Sequence, residues 1–392
     1  MTDSIKMRTI SIFGVTGSVG KSTQEVIQKN NKTFFVDTIV AKNNVKELIK
    51  AAILLNPKKV VIYDNTKFSE LKLALKNYDI DISSGKESVL EAAKRNVDIF
   101  VAAIVGYEGL YTTYNSIPYV KTIALANKES MVCAGNLIME RSKSFGCNII
   151  PIDSEHNTLF QLLDKSEYNY IKKIIITASG GPFLGINKNE LKKITPEQAT
   201  KHPIWNMGTK ISVDSATMMN KGLELIEAAY LFNLSSSKID VLVHPQSIIH
   251  AIIEYVDGVL KAGLYNPDMI IPISNALNYP KRTINSVKRL DLALIESLTF
   301  QKIDESVFNA VNICRKAYNS GPSDLIVLNA ANEIAVDAFL KNRISFNNIT
   351  FLIEEVLSKS FDKFKSDIRN IIEIDKAARS VSLELISKGN IK

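Results

Sequence analysis

The stretch ISIFGVTGSVGKST, residues 10–23, decides the fold of this chain. Its apolar beginning predicts a β-strand over Thr9–Phe13, and Gly14, Gly17 and Gly20 follow that strand at intervals of three. A helical segment comes next. Strand, glycine turn and helix in this order predict the first unit of a dinucleotide-binding sheet, because a phosphate can approach the backbone amides at the helix start. A plain turn remains an alternative.

The same residues have a second interpretation, as the P-loop of a nucleotide-hydrolysing protein. It needs four residues between its first glycine and the Gly-Lys-Ser, but five separate Gly14 from Gly20, and Val15 stands where the glycine is required. The next predicted strand ends at Ala41 and is followed by Lys42, Asn43 and Asn44, with no acid for a ribose hydroxyl. This favours NADP(H) over NAD.

Short apolar runs alternate with amphipathic segments as far as residue 153, which predicts a parallel, doubly wound sheet. After the first strand, the expected strands are Phe34–Ala41, Lys59–Tyr63, Asp98–Val101, Lys121–Ala126 and Asn148–Ile152. We therefore expect an α/β protein with a Rossmann-like N-terminal domain over residues 1–153.

The regular alternation of strands and helices ends after residue 153. Strands are expected at Lys172–Thr177 and Asp240–Val243, and a hairpin joins Ile248–Tyr255 to Val259–Tyr265 across a Val-Asp-Gly turn. A helix is expected around Asn220–Leu231. From about residue 307 the pattern is helical. We expect a central α+β catalytic domain over residues 154–295 and a helical C-terminal domain over 296–392.

The composition is that of an ordinary globular protein, with 392 residues of which 46% are hydrophobic. The net charge is +7, but the basic residues are dispersed, which disfavours a nucleic-acid partner. No run approaches the ~20 apolar residues of a membrane span, and the N-terminus does not resemble a targeting peptide. Cys133, Cys147 and Cys314 predict buried free thiols. We expect a cytoplasmic protein with no membrane partner.

Acidic residues in two distant segments suggest a metal site. Asp153 and Glu155 follow the sixth predicted strand, and in an extended chain they would point the same way. On the later predicted helix, Asn220, Lys221 and Glu224 share one face. Carboxylates without a histidine pair suit Mg²⁺ or Mn²⁺. Solvated acids remain the alternative, and the meeting of the two segments is an assumption.

Taken together, these segments resemble the 1-deoxy-D-xylulose 5-phosphate reductoisomerases. The resemblance runs from Gly14 to at least Glu333 and rests on ordered blocks of sequence. The blocks are Gly14–Thr23, Ala126–Ser130, Asp153–Asn157, Thr177–Phe183, His202–Gly208, Lys210–Glu227, His244–Ser247 and Leu328–Glu333. It implies an NADPH- and metal-dependent enzyme that rearranges and reduces its substrate to 2-C-methyl-D-erythritol 4-phosphate for isoprenoid synthesis. It also implies a homodimer.

The resemblance assigns roles to individual residues. The ligands of the divalent ion (Mg²⁺ or Mn²⁺, with Co²⁺ possible) would be Asp153, Glu155 and Glu224, which with Lys128 form the catalytic set. The substrate, besides contacts to Glu155 and Glu224, would be bound by Lys128, Ser154, Ser179, His202, Ser215, Asn220 and Lys221. The cofactor would be bound by Thr16, Gly17, Ser18, Val19, Lys42, Asn43, Asn44, Asn127, Glu129 and Gly208. The block His202–Gly208, with the chain's single tryptophan Trp205, would be a mobile flap.

Four positions depart from the family pattern. Lys42 stands where glycine is usual and Asn43 where a basic residue is usual, which affects how the 2′-phosphate is held. Ile204 replaces a common asparagine in the flap, and Ile270 a frequent arginine. The competing functions are another NADPH-dependent reductase, which would not need the three carboxylates, and a P-loop nucleotide switch.

Overall fold

The computed structural model describes residues 7–30, 32–205, 207–389 and 391, and its chain divides into two compact units. The first unit comprises Met1–Asn127, Ile138–Phe160 and Asp268–Lys288. The second unit comprises Lys128–Leu137, Gln161–Pro267 and Arg289–Lys392. The expected three-domain division at residues 153 and 295 stays a prediction.

A seven-stranded parallel sheet forms the centre of the first unit, with the strand order β4-β3-β2-β1-β5-β6-β7. Its strands are β1 (Arg8–Phe13), β2 (Phe34–Ala41), β3 (Lys59–Ile62), β4 (Asp81–Ser84), β5 (Val97–Ala102), β6 (Val120–Leu125) and β7 (Asn148–Pro151). The sheet confirms the expected Rossmann-like fold. Its apolar strands are almost wholly buried because helices cover both faces of a parallel sheet.

Each strand of the parallel sheet is followed along the chain by one α-helix. These helices are α1 (Ser18–Lys29), α2 (Val45–Leu55), α3 (Phe68–Ala74), α4 (Lys86–Ala92), α5 (Glu108–Ser116), α6 (Lys128–Phe145) and α7 (Ser154–Leu162). Helix α6 is kinked at Ala134, whose backbone angles are not helical. A later helix, α11 (Ile270–Asn278), returns to the first unit and buries Ile273 and Leu277 in its core.

The second unit contains a four-stranded sheet with the order β11-β10-β8-β9. Its strands are β8 (Ile171–Ala178), β9 (Ile239–Val243), β10 (Ile249–Tyr255) and β11 (Leu260–Leu264). Strands β8 and β9 are parallel, and the other two pairs are antiparallel. The predicted hairpin is confirmed as β10 and β11.

Helices make up the rest of the second unit. They are α8 (Pro196–Ala199), α9 (Thr209–Ala216), α10 (Met219–Leu231), α12 (Ala310–Ser320), α13 (Pro322–Leu340), α14 (Asn348–Leu357) and α15 (Ile368–Ser387). Helix α13 is buried along most of its length and packs against α12, α14 and α15. The predicted helical C-terminal region is confirmed. Among the described residues, none of the helices is both long and apolar enough for a bilayer span.

Candidate active site

The glycine loop between β1 and α1 is shaped by close backbone contacts. Gly14 has φ +94°, and a Cβ there would lie 2.3 Å from the carbonyl oxygen of Ala103. A Cβ on Gly20 would lie 2.3 Å from the carbonyl oxygen of Gly14. Gly17 is the N-cap of α1, where first-turn amides have no acceptor within the helix. This loop therefore fits a pyrophosphate. Cofactor contacts from Thr16, Gly17, Ser18 and Val19 stay a prediction.

The loop after β2 carries the residues expected at the 2′-phosphate. Lys42, Asn43 and Asn44 are all exposed. The side chain of Asn44 also caps helix α2, because its oxygen accepts a hydrogen bond from the backbone amide of Glu47 at 3.2 Å. The carboxylate of Glu47 is 2.9 Å from the Nζ of Lys21. Lys21 therefore brings a second exposed cation to the end of β2, where sequence reasoning had named only Lys42.

Asn127 follows β6 at the carboxyl edge of the sheet. It is buried, and its amide nitrogen donates to the carbonyl oxygens of Ile104 at 2.7 Å and Gly106 at 2.9 Å. These bonds fix the loop after β5 at the same edge, where open α/β sheets bind ligands. A contact between Asn127 and the nicotinamide half of the cofactor stays a prediction.

The expected geometry at Asp153 and Glu155 is wrong in one respect. Strand β7 ends at Pro151 and helix α7 begins at Ser154, so Glu155 lies in the first turn of a helix and not in an extended chain. The alternation of a strand therefore does not apply to this pair. The backbone oxygen of Asp153 accepts from the amide of Asn157, and the hydroxyl of Ser154 donates to Glu155 at 2.7 Å.

A buried polar cluster in the second unit joins four of the predicted residues. Glu224 on α10 accepts hydrogen bonds from Lys128 at 3.1 Å and from Lys221 at 2.6 Å. Asn220 donates to the same carboxylate and accepts from Lys128 at 2.9 Å. Glu224 keeps 3% of its side chain exposed, and the two lysines keep 8% and 9%. Two ammonium groups are thus held at one carboxylate, away from bulk water.

The residues expected at the phosphate also lie close to one another. The ring Nε2 of His202 is 2.9 Å from the hydroxyl oxygen of Ser179. Gly181 has φ +65°, and a Cβ there would lie 2.9 Å from the carbonyl oxygen of Ser215 at the end of α9. The positive charge of Lys221 is close enough to His202 to lower the pKa of its ring. The arrangement offers hydroxyl, imidazole and ammonium donors, which suit a phosphate dianion.

The protonation state of His202 follows from its contacts. Burial, and secondly the charge of Lys221, lower the pKa of His202 to about 4. The backbone amides of Ile204 and Trp205 donate to its Nδ1 at 3.1 and 2.9 Å. Because Nδ1 accepts, the proton of the neutral ring lies on Nε2 and is donated to Ser179.

The expected flap begins at these contacts. The Trp205 ring meets the ring of His250 edge-on, with centroids 6.3 Å apart, and His250 stacks on Tyr265. Gly208 is the N-cap of α9, and a Cβ there would meet open space. Asn206, in the middle of the flap block, lies outside the described residues.

Sequence reasoning missed Lys210. Its ammonium group binds Glu129 at 2.7 Å and Asp214 at 2.9 Å. The i,i+4 spacing of Lys210 and Asp214 on α9 was visible in the sequence. The partner on α6, 81 residues away along the chain, was not. The carboxylate of Glu129 is therefore engaged by Lys210, and its predicted cofactor contact stays a prediction.

The carboxylates and the glycine loop are chemically suited to the divalent metal and the dinucleotide cofactor that the sequence implied. Three carboxylates are the ligand type that Mg²⁺ and Mn²⁺ prefer. Asp153 and Glu155 belong to the first unit and Glu224 to the second, so the sharing of one ion by all three stays a prediction. The glycine loop of the first unit fits the pyrophosphate of a dinucleotide.

Comparisons with known proteins agree on one family. Residues 10–135 match the model of 1-deoxy-D-xylulose 5-phosphate reductoisomerase, and residues 149–232 and 264–381 match models of C-terminal domains of that enzyme. The chain is 42% identical to 1-deoxy-D-xylulose 5-phosphate reductoisomerase from Zymomonas mobilis, over 95% of this chain and 96% of the relative. It is 44% identical to that of Anaplasma phagocytophilum, over 97% of this chain and 99% of the relative.

Solved structures give the same result. The reductoisomerase of Zymomonas mobilis in complex with NADPH superposes with a TM-score of 0.91 at 41% identity, covering 97% of this chain and 99% of the other. A reductoisomerase in complex with NADPH, fosmidomycin and magnesium has a TM-score of 0.92 at 37% identity, covering 97% and 98%.

Proposed function

The chain belongs to the 1-deoxy-D-xylulose 5-phosphate reductoisomerase family, and from this premise we infer that it converts 1-deoxy-D-xylulose 5-phosphate into 2-C-methyl-D-erythritol 4-phosphate. The reaction depends on NADPH and a divalent metal and belongs to isoprenoid precursor synthesis. The observation that carries this conclusion is the identity of 42% and 44% with reductoisomerases over nearly the whole chain.

We propose that the second unit binds both ends of the substrate. Ser179, Ser215, Asn220 and Lys221 would hold the phosphate, with His202 donating through Ser179. This role is supported by the contact between His202 and Ser179 and by the burial of Lys221, because a desolvated ammonium attracts a dianion strongly. Binding energy from the phosphate can then orient the reacting carbons.

Lys128 would act at the other end of the substrate. Its ammonium is held by Asn220 and Glu224, so it can donate a hydrogen bond to the carbonyl or hydroxyl oxygens without a large rearrangement. Ser154 would contact the same end. Asp153, Glu155 and Glu224 would hold the divalent metal, which would polarise the ketone, and bound NADPH would supply the hydride for the reduction.

The cofactor would lie along the carboxyl edge of the first sheet. Thr16, Gly17, Ser18 and Val19 would contact the pyrophosphate, and Asn127, Glu129 and Gly208 the nicotinamide half. Lys42, Asn43 and Asn44 would contact the 2′-phosphate. The exposure of all three residues after β2 supports this placement, because a ligand can reach them without a change in the fold.

Enzyme assays test the inferred function. Purified protein is given NADPH, deoxyxylulose phosphate and Mg²⁺ or Mn²⁺, and cofactor oxidation is followed. We expect turnover that stops on chelation and returns with added metal. Metal-independent reduction of another carbonyl would favour a different reductase. Nucleotide hydrolysis without NADPH binding would favour the P-loop reading.

Glu224→Gln tests the proposed metal ligand. A neutral amide binds a hard cation more weakly than a carboxylate, so we expect turnover at limiting metal to fall by orders of magnitude while the fold stays intact. Glu254→Gln is the matched control, because Glu254 is also paired with two lysines, at 2.8 and 3.5 Å, but on strand β10. Unchanged turnover of Glu224→Gln at limiting metal would remove Glu224 from the coordination shell.

We also propose that the protein is a cytoplasmic homodimer. The dimer is supported by strand β11, an edge strand of the second sheet, whose hairpin exposes Val256, Val259 and Leu260. An exposed apolar edge strand favours pairing with another copy. A cytoplasmic location is supported by the three buried free cysteines.

Light scattering tests the dimer. The wild-type protein should have the mass of two chains, and Leu260→Lys should lower the measured mass. A monomeric wild-type protein would exclude the dimer.

A further inference from the structure

The ion-pair network around Lys210 connects three helices of the second unit. Lys210, in the first turn of α9, binds Glu129 on α6 and Asp214 on its own helix. The other oxygen of Asp214 accepts from the side-chain amide of Asn332 on α13 at 2.9 Å. Glu129, Asp214 and Asn332 are each at most 4% exposed, and the Lys210 side chain is 18% exposed.

The charges in this network are strongly coupled. Burial alone would lower the pKa of the Lys210 ammonium, but Asp214 and Glu129 reverse that effect and raise the pKa above its ordinary value. Burial would likewise raise the pKa of Glu129, and the charge of Lys210 holds it below its ordinary value. Lys210 and Glu129 are therefore both ionised near neutral pH, and the Lys210 ammonium lies between the buried side chains of Glu129 and Asp214.

Each carboxylate that Lys210 binds is the chain neighbour of a residue that contacts substrate in the proposed function. Glu129 follows Lys128, the lysine at the carbonyl end. Asp214 precedes Ser215, the serine at the phosphate end. A side chain that fixes Glu129 relative to Asp214 therefore fixes the spacing between the two ends of the substrate site.

We propose that Lys210 is a positioning residue that sets the distance between Lys128 and Ser215 by binding Glu129 and Asp214 together. This inference rests on the proposed function, because it takes from it the substrate contacts of those two residues. Lys210 acts through its carboxylate partners and not through the substrate. Misplacement of reacting groups by about 1 Å can cost roughly 100-fold in rate, so the network has a measurable consequence.

The first test is Lys210→Met, which keeps the length of the side chain and removes its charge. We expect kcat/KM for deoxyxylulose phosphate to fall by roughly 100-fold, with a higher KM from the phosphate end and a lower kcat from the carbonyl end. Lys210→Arg should recover part of the loss, because it restores the cation. Lys341→Met is the matched control, since Lys341 forms an exposed i,i+4 pair with an aspartate at 2.7 Å.

A double-mutant cycle separates positioning from a general loss of stability. If Lys210 positions Ser215, the rise in KM caused by Lys210→Met should largely disappear when it is measured in a Ser215→Ala background, while the fall in kcat that comes from Lys128 remains. An equal rise in KM in both backgrounds would overturn the proposal. So would a Lys210→Met protein with wild-type kinetic constants and only a lower melting temperature.

A further variant covers the case in which Lys210→Met does not fold. The triple variant Glu129→Gln, Lys210→Met and Asp214→Asn removes all three charges and leaves no buried carboxylate without a cation. If the triple variant folds, we expect it to have the same low kcat/KM, and wild-type activity in it would overturn the proposal. Inactivity of the wild-type protein in the same assay would instead reject the proposed function.

Discussion

His202 shows how one residue couples the proposed phosphate site to the chain that follows it. Its Nδ1 accepts two backbone amides from Ile204 and Trp205, and its Nε2 faces Ser179. Protonation would place a hydrogen on Nδ1 and break both backbone contacts. Acid should therefore weaken the attachment of the chain that follows His202.

Replacing Lys221 tests the electrostatic origin of this behaviour. The pKa of His202 is lowered to about 4 by burial and, second, by Lys221, so Lys221→Met should raise it towards the ordinary value. Titration of the histidine ring protons by NMR measures this directly, since the chain has only four histidines. Lys201→Met is the control, because Lys201 precedes His202 in the sequence but is exposed. An equal shift in both variants would contradict the assignment.

The same shift predicts how stability depends on pH. The unfolded chain has a histidine pKa of about 6.5 and so binds more protons than the folded protein between that value and about 4. The contribution of His202 is therefore complete above about pH 6.5 and is lost as the pH falls towards 4. His202→Gln should flatten the dependence of the unfolding midpoint on pH in that window.

At the residue level, the sequence was informative wherever the interaction is local. Asn220, Lys221 and Glu224 were expected on one helical face, and the structure shows them hydrogen-bonded there. The geometry at Asp153 was missed, although Asp153-Ser154-Glu155 is typical of a helix N-terminus. The Lys210–Glu129 pair could not be predicted, because helical spacing gives no information about a partner on a distant helix.

At the level of elements, α10 carries three of the proposed site residues and packs closely against α12. Gly222 on α10 makes this approach possible, because a Cβ there would lie 2.4 Å from the sulfur of Cys314. Gly222→Ala should destabilise the protein by about 1–3 kcal/mol, even though alanine is the better helix former. Urea unfolding measures the loss.

A second substitution tests that explanation. Adding Cys314→Ala to Gly222→Ala removes the sulfur and should recover part of the lost stability. The recovery should be incomplete, because alanine keeps the Cβ of residue 314, which would lie 2.9 Å from the new Cβ, and the carbonyl oxygen of Ala310 would lie 3.1 Å from it. No recovery in the double variant would mean that the helix spacing is set elsewhere.

Strand β4 shows where prediction of elements from the sequence fails. The other six strands of the first sheet were expected within about one residue of their observed bounds, because apolar runs mark them. Residues Asp81–Ser84 contain one apolar side chain, Ile82, and lie at the edge of the sheet. Their strand is formed by backbone pairing to β3, and hydrophobic pattern carries no information about that pairing.

At the scale of the whole molecule, the blocks spread along the sequence were enough to identify the family. The bounds of the two compact units were harder to predict from the sequence. Each unit is built from three segments, because α11 returns to pack in the first unit after a long excursion through the second. A change in the order of predicted strands and helices marks where a segment begins. It does not show that a later helix packs back into an earlier unit.

The three buried thiols make it possible to follow the opening of each unit separately. Cys147 lies in the first unit, and Cys133 and Cys314 lie in the second. Burial raises the pKa of Cys147 to about 12 and also raises that of the other two, so none reacts while the protein is closed. Alkylation with iodoacetamide, read by mass spectrometry, therefore reports local unfolding. Denaturant should accelerate labelling, and immediate labelling of any thiol in the native protein would contradict its burial.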